Sequence, residues 1–558
     1  AEFYKNDFQK FMEYNVKDVD LVFRLEEKMK LLELACALAY SAKVNFKDVF
    51  GQVRTWDSII YHYLAEHNIV IPPKKSSNKD SQYAGAYVKD PIVGMHDWVV
   101  SFDLNSLYPH LIMQYNISPE TMINQDKDIS VSPDTILSGK LPSTNGYSVA
   151  ANGTCYTKEH QGFLPALMEK LYKERKMYKK KMIECQKERQ KVVKLNAPAM
   201  GKGAACARLD KEIAKYNNFQ LVRKIQLNSA YGAIGNQYFR YYKLANAEAI
   251  TLSGQVSIRW IENKINQKMN TILKTEDKDY VIASDTDSIY LHMGDLVEAV
   301  YKGREKTTEG IVSFLNKVCE MELEPYIESS YQELADYVNA YDQKMIMKRE
   351  NIASTGIWTA KKRYILNVWD SEGVRYEDAK LKIMGIEAIK TSTPAPCRKF
   401  LKDAFKLLMN GTEDEVIDYI EDCRTEFNKL PPEEIAFPRS VSNVEKWKSS
   451  SDMYNKGCPI HVRGAILYNH WTKKKEIDHK YASINNGEKI KFCYLKTPNW
   501  MHENVISFIQ DFPTELDLDK YVDYELQFNK SFLEPVKVIL DCIGWETERK
   551  NTLDSFFS

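Results

Sequence analysis

Carboxylates at the ends of short apolar runs are where this chain could do chemistry. Tyr280-Val281-Ile282-Ala283 and Ser288-Ile289-Tyr290-Leu291 read as two strands joined by the turn Ser284-Asp285-Thr286-Asp287, whose side chains project from a hairpin tip. Asp103 closes a second β-type run, Trp98-Val99-Val100-Ser101-Phe102, and Leu104-Asn105-Ser106-Leu107-Tyr108-Pro109 then turns into the apolar Leu111-Ile112-Met113. Mg²⁺ takes oxygen ligands and usually keeps waters and substrate phosphates, so one or two Asp suffice to hold it. Two such ions about 4 Å apart clamp the attacking and leaving oxygens of an in-line phosphoryl transfer. Taken alone, Asp-Thr-Asp is an ordinary solvated turn. Asp103 at a second strand end shifts that weighing.

A transferred phosphate also needs cations. Residues 162–194 carry an excess of seven positive charges, and Arg175 and Lys179, four apart, share a helix face. Lys224, Asn228 and Tyr231 stand at i, i+4 and i+7 of a second helical segment, offering a further cation and a ring that can pack on a base. For charge alone the bland reading is a solvated basic helix. A carboxylate set and a phosphate-binding set in one chain together match what phosphoryl transfer requires.

The elements that must position these groups follow from periodicity. Residues 1–35 and Trp56–His67 read as helix, and the polar run from Pro72 to Ser81 as a first boundary. Segments 162–194 and 205–236 read as a long helical hairpin with its tip at Leu195–Ala204, which holds Asn, Pro and two Gly. Residues 296–345 read as mostly helical, Tyr364–Trp369 and Leu381–Met384 as strands, and the last third as short helices alternating with loops. The class is α+β, with the hairpin inserted in a sheet domain.

Composition bounds the rest. The length of 558 residues implies three to four domains. Lys+Arg 77 against Asp+Glu 77 gives no net charge, so a nucleic-acid partner would require positive charge concentrated on one face. The 34 Tyr within 12% aromatic content exclude a largely disordered chain. No run approaches the roughly 18 apolar residues of a membrane span. None of the ten Cys forms a CxxC pair, which argues against zinc and redox motifs, and no signal peptide opens the chain. A soluble intracellular protein with no membrane partner is expected.

At these residues the chain resembles the family B DNA polymerases. Ser101–Pro109 is similar to their motif A, Lys224-Ile225-Gln226-Leu227-Asn228-Ser229-Ala230-Tyr231-Gly232 to motif B, and Ser284-Asp285-Thr286-Asp287-Ser288 to motif C. Lys361-Lys362-Arg363-Tyr364 and Lys382-Ile383-Met384-Gly385-Ile386-Glu387 extend the likeness. It runs most fully to the replicative polymerases of T-even-type bacteriophages, through Tyr83–Lys89, Tyr238–Tyr242 and Cys458–Gly464, and covers essentially the whole chain.

The resemblance implies that Asp103 and Asp285 bind two catalytic Mg²⁺ (Mn²⁺ as substitute) with the Leu104 carbonyl, supported by the acidic Asp287 and Glu350. Ser106, Leu107 and Tyr108 would meet the nucleotide, with Tyr108 as the gate against a 2′-hydroxyl. Arg175, Lys179, Lys224 and Asn228 would hold the triphosphate. Tyr231 and Gly232 would shape the base-pair pocket, and Lys361, Lys362, Arg363 and Tyr364 would grip primer-template DNA, where the minor-groove pattern is degenerate. Two departures stand out: Ala283-Ser284 where the family commonly has Tyr-Gly, and Lys348 where related phage sequences carry Asp.

It further implies a right hand: a β-sheet palm at 75–161 and 237–391, helical-hairpin fingers at 162–236, and a mixed, mainly helical thumb at 392–558. Residues 1–74 would be residual exonuclease and amino-terminal structure. Tyr14 and Asp18 resemble the third exonuclease motif without the first two, so the chain alone is not expected to proofread unless a separate exonuclease-domain chain completes the site; a remnant helix is the plainer reading. Leu553, Phe556 and Phe557 match a tail that binds a sliding clamp, or form a frayed terminus. The setting implied is the cytoplasm of an infected bacterial host. Competing readings are a sugar-nucleotide glycosyltransferase, which leaves Asp103 and the basic hairpin unexplained, and a DNA-binding scaffold half of a split polymerase.

Overall fold

The computed structural model describes residues 4, 7–74, 82–123, 128, 130–194, 199–449 and 453–549. Its centre is a six-stranded antiparallel sheet in the order β2-β3-β1-β4-β5-β6. These strands are β1 (Gly94–Leu104), β2 (Val281–Asp285), β3 (Ser288–His292), β4 (Met347–Ala360), β5 (Arg363–Ser371) and β6 (Val374–Met384). Alternation along β1 divides its side chains between two faces. Val100, Phe102 and Leu104 enter the main core with Ile289 and Leu291. Val99 joins a smaller cluster with Ile282, Tyr290, Trp358 and Tyr364, so Ser101 and Asp103 belong to the face of that second cluster.

One irregularity shapes that face. Asp103 pairs with Lys348 and Phe102 with Arg349, but Ser101 pairs with Asn351. Glu350 is the extra residue of a β-bulge, a device that re-aims a side chain beside a site.

The hairpin expected between the motifs is present as two helices, Phe163–Lys194 and Ala199–Ile234. They are zipped by Arg189 to Asp210 and by the Tyr178 and Phe219 rings, 5.1 Å apart. The second helix starts at Ala199, earlier than the glycines suggested, because Gly201 and Gly203 are absorbed into it. Helix Leu244–Leu273 then crosses the main core, burying Ile250, Ile258 and Ile265.

The first 74 residues do not behave as one unit. Helix Phe8–Met29 has no buried residue. Helix Gln52–Glu66 buries Trp56, Ile60 and Leu64 in the main core, and Trp56 Nε1 donates to Ser229 Oγ at 3.1 Å. Toward the other end, a second core joins helices Ala395–Asn410, Glu413–Phe427, Ile460–Lys474 and Glu534–Ile543 to three antiparallel strands: β7 (Phe437–Ser440), β8 (Lys489–Tyr494) and β9 (Val505–Phe508). The sequence there reads as short helices alternating with loops, and only the resemblance implies a mixed, mainly helical unit. The strands are only four to six residues long, too short for a period-two pattern to stand out, and β9 is buried along its whole length. Among the described residues no helix is long and apolar enough to cross a membrane.

Candidate active site

The Asp-Thr-Asp turn is a tight tip. Thr286 takes φ +59, and the Asp287 N–H donates to the Asp285 carbonyl at 2.6 Å. On one side Thr286 N–H bonds to the Tyr87 carbonyl at 3.0 Å; on the other Leu104 N–H bonds to the Asp287 carbonyl at 2.8 Å. That last bond, with the pairing of Asp103 to Ser288, brings the end of β1 onto the tip. Glu350 joins through the bulge: Ser101 Oγ donates to Glu350 Oε2 at 3.2 Å, and Lys382 Nζ to Oε1 at 2.8 Å.

The carboxylates crowd one another. Burial, then Asp287 and Glu350, push Asp103 up to about 7; burial, then Asp285 and Glu350, push Asp287 up to about 6. Protons are retained where negative charge lacks compensation. A divalent cation would relieve the same crowding, and an all-oxygen donor set suits Mg²⁺. Among the described residues no three His, Cys, Asp or Glu side chains converge into a complete cage. Two aspartates would therefore need phosphate and water oxygens to complete an ion's shell.

After Asp103 the chain continues into a group of polar and aromatic side chains. Ser106 takes φ +48 and caps helix Leu107–Tyr115. Its hydroxyl accepts from Arg175 Nη1 at 3.0 Å, while Arg175 Nε is buried without a partner among the described residues. Leu107 points into the core, so only its backbone can serve a ligand. Tyr108 packs against Tyr231 with ring centroids 4.6 Å apart, and Tyr231 hydroxyl donates to Tyr83 hydroxyl at 3.2 Å. Gly232 makes room for the Gln52 side chain at the start of helix Gln52–Glu66. Lys224 and Asn228 are exposed on the same helix, and Lys179 lies 3.9 Å from Glu372 at the β5–β6 turn.

Lys361 and Lys362 form the two-residue turn between β4 and β5. Lys361 pairs with Asp90 at 3.0 Å, and Lys362 Nζ reaches Asp285 Oδ1 at 3.1 Å. Arg363 is forked by both Glu387 oxygens, at 3.1 and 2.8 Å. Tyr364 is 6% exposed, its hydroxyl 2.7 Å from that of Tyr290. Of the four residues expected to grip DNA, the two lysines are open, whereas Arg363 and Tyr364 brace the turn from within. Lys348, at the departure noted above, is neutralised by Glu324 at 2.6 Å.

Tyr14 and Asp18 lie exposed on helix Phe8–Met29, far in sequence from the carboxylate cluster. Leu553, Phe556 and Phe557 fall outside the described residues. Sequence reasoning assigned no role to Ser101, Lys382, Glu372 or Tyr83. Tyr83, Ser101 and Lys382 sat inside segments that carried the resemblance, which was the available signal; Glu372 gave none.

A family model described as DNA polymerase family B matches residues 49–197 and 204–329. The DNA-directed DNA polymerases of Enterobacteria phage T4 and Escherichia phage RB69 are 32% and 33% identical across 99% of this chain and 65% of each relative. The DNA polymerase of Thermococcus gorgonarius is 22% identical across 96% of the chain and 57% of its own length. The chain thus spans just under two thirds of the phage relatives it matches.

Proposed function

Since the chain belongs to DNA polymerase family B, we propose that it is a template-directed DNA polymerase, extending a primer 3′ end with dNTPs in phage-type DNA replication. One observation carries this reading: Asp103 and Asp285 flank the same residue, Ser288, at a hydrogen-bonded tip, and Arg175 near the end of that strand keeps an unspent buried donor. On this reading the six-stranded sheet is the palm (75–161 and 237–391), the helical hairpin the fingers (162–236), and residues 392–558 the thumb.

Asp103, Asp285 and the Leu104 carbonyl would hold two Mg²⁺ (or Mn²⁺), with Asp287 and Glu350 supporting. When bound, the ions supply Lewis acidity for the primer 3′-oxygen and neutralise the departing pyrophosphate. The chain's own residues do the rest. Arg175, Lys179, Lys224 and Asn228 bind the triphosphate, and the buried Arg175 Nε gains the partner it lacks. Tyr108, set against Tyr231, excludes a 2′-hydroxyl, and Tyr231 with Gly232 shapes the base-pair pocket. Lys361 and Lys362 meet the primer-template while Arg363 and Tyr364 hold their turn. Movement of the hairpin toward the sheet would bring Lys224 onto the phosphates, a step that selects the paired nucleotide.

Primer extension with Mg²⁺ and dNTPs, beside Asp285→Ala, tests the reading. Extension should vanish in the variant while primer-template affinity stays near that of the parent; equal loss of binding would contradict the metal role. A mismatched primer without dNTPs should not be shortened by this polypeptide on its own, because Tyr14 and Asp18 stand exposed on a helix with nothing buried. That exposed helix also supports a second reading, a DNA-binding half completed by a partner chain such as an exonuclease domain. Tight DNA binding without extension would favour it.

A further inference from the structure

The second helix of the hairpin is tied to the amino-terminal part of the chain at three places. Asn218 Nδ2 donates to Glu33 Oε2 at 3.2 Å, and Trp56 Nε1 donates to Ser229 Oγ at 3.1 Å. Between these, on helix Leu31–Ala42, Ser41 Oγ accepts from Arg223 Nη1 and, at 2.9 Å, from Gln226 Nε2. Gln226 is 1% exposed, and its Oε1 accepts in turn from Arg223 Nη1 at 2.8 Å. The same guanidinium crosses to the first hairpin helix, where its Nε donates to Glu174 Oε2 at 2.5 Å. Arg223 therefore joins three helices at one point. The Ser41 end is itself held: Ala42 is buried, Lys43 closes the helix at φ +53, and Ser58 Oγ donates to the Lys43 carbonyl at 3.1 Å.

Place in the sequence gives this junction its meaning. Glu174 immediately precedes Arg175, and Arg223 immediately precedes Lys224. Consecutive residues of an α-helix point about 100° apart, so turning either helix about its axis breaks the bridge and re-aims the neighbouring cation together. We propose that Arg223 is a positioning residue for nucleotide binding: shared by Glu174 and Ser41, it sets the rotation of both hairpin helices so that Arg175 and Lys224 face one triphosphate. Helices Leu31–Ala42 and Gln52–Glu66 then serve the nucleotide site, unlike helix Phe8–Met29, which buries nothing. Arginine suits the task because its planar fork serves several partners in fixed directions, which the point charge of lysine does not. The proposal rests on the polymerase reading only through the triphosphate roles of Arg175 and Lys224.

Equilibrium dNTP binding to the full chain tests it without chemistry, on a primer-template that ends in a dideoxynucleotide and carries a fluorescent base analogue in the template. Arg223→Met should weaken binding of the complementary dNTP about ten- to a hundredfold, the penalty for misplacing binding groups by about 1 Å. Primer-template affinity should stay near that of the parent, and Arg223→Lys should recover part of the loss. Because Arg223 acts through its neighbour, its removal should cost a smaller factor once Lys224 is alanine, whereas a merely structural loss costs the same factor in both backgrounds. Equal factors overturn the proposal, as does unchanged dNTP affinity in Arg223→Met or an equal loss of primer-template affinity. Ser41→Ala, which removes one hydroxyl and little volume, should show the same pattern more weakly and carries the test if circular dichroism shows Arg223→Met unfolded. A parent that binds no complementary dNTP, or a Lys224→Ala variant with parental dNTP affinity, refutes instead the triphosphate reading beneath it.

Discussion

Substituting Gly385 by alanine probes how tightly the Lys361-Lys362 turn must be held. Gly385 adopts φ +68, and the added Cβ would meet the Lys362 carbonyl oxygen at 2.1 Å and its carbon at 3.1 Å. Both obstacles are backbone, so no flexible side chain can yield. An L-residue in the left-handed region costs about 1–2 kcal/mol, and relieving an overlap by shifting packed neighbours costs typically about 1–3 kcal/mol more. Gly373 supplies the control: it takes φ +85 at the neighbouring β5–β6 turn, yet nothing lies within 4 Å of its hypothetical Cβ. Gly373→Ala should therefore show only the conformational penalty. Hydrogen exchange of peptides spanning 360–390 should report a local opening free energy lowered by roughly 2–5 kcal/mol in Gly385→Ala and by about 1–2 kcal/mol in Gly373→Ala. Displacing the lysines by about 1 Å should slow primer extension by up to about a hundredfold in the first variant only. Equal protection of the two variants, or full-rate extension by Gly385→Ala, would refute the account of the turn.

Three further outcomes can be checked directly. Tyr108→Ala should raise ribonucleotide incorporation in competition assays, and unchanged sugar discrimination would remove the gate assignment. His110, packed against Tyr172 with ring centroids 4.4 Å apart, is pushed down to about 4 by burial. Its unfolded-state value is higher, so the unfolded chain binds the extra proton first. Stability is then fully present above about pH 6.5 and falls by about 3 kcal/mol toward pH 4, and the fall in melting temperature across that window should be shallower in His110→Asn; matching slopes would contradict the buried neutral imidazole. Deleting residues 552–558 should abolish stimulation by a sliding clamp while leaving basal synthesis, and if stimulation survives, Leu553, Phe556 and Phe557 do not bind the clamp.

The sequence disclosed the parts of the site that sit at element ends. Asp103 after its apolar run and Asp285 within a turn between apolar strands are both found where periodicity put them. It did not disclose β4, although this strand is 14 residues long. Strand β4 lies inside the sheet between β1 and β5, and polar side chains buried along it hydrogen-bond locally: Asn351 with Ser101, and the Arg349 Nη atoms with Asp370 and Asn316. Hydrogen-bonded polar residues in a buried strand erase the alternation on which strand recognition depends. Glu350 was found only through resemblance, because a bulge is a property of two strands together. Helix Gln52–Glu66 was legible as a helix, but its place in the main core was not, since its partners Leu227 and Ala230 lie some 170 residues away and the distance in sequence carries no signal.

The bulge at Glu350 bears on which length changes this strand can survive. Residues 347–349 pair with Phe102–Leu104 in one register, and residues from 351 onward pair with Ser101 and earlier in another, offset by a single residue. Removing Glu350 would merge the two registers into one regular ladder, improving the hydrogen bonding between β1 and β4 while stripping the site of one carboxylate and leaving Lys382 without its partner. Inserting a residue nearby would turn Lys348 or Asn351 through the sheet to the opposite side. In a lineage drifting by insertions and deletions, such a strand can shed its irregularity and become sturdier in the same step that makes it inert. Its single extra residue persists only where the chemistry, and not the ladder, is under selection.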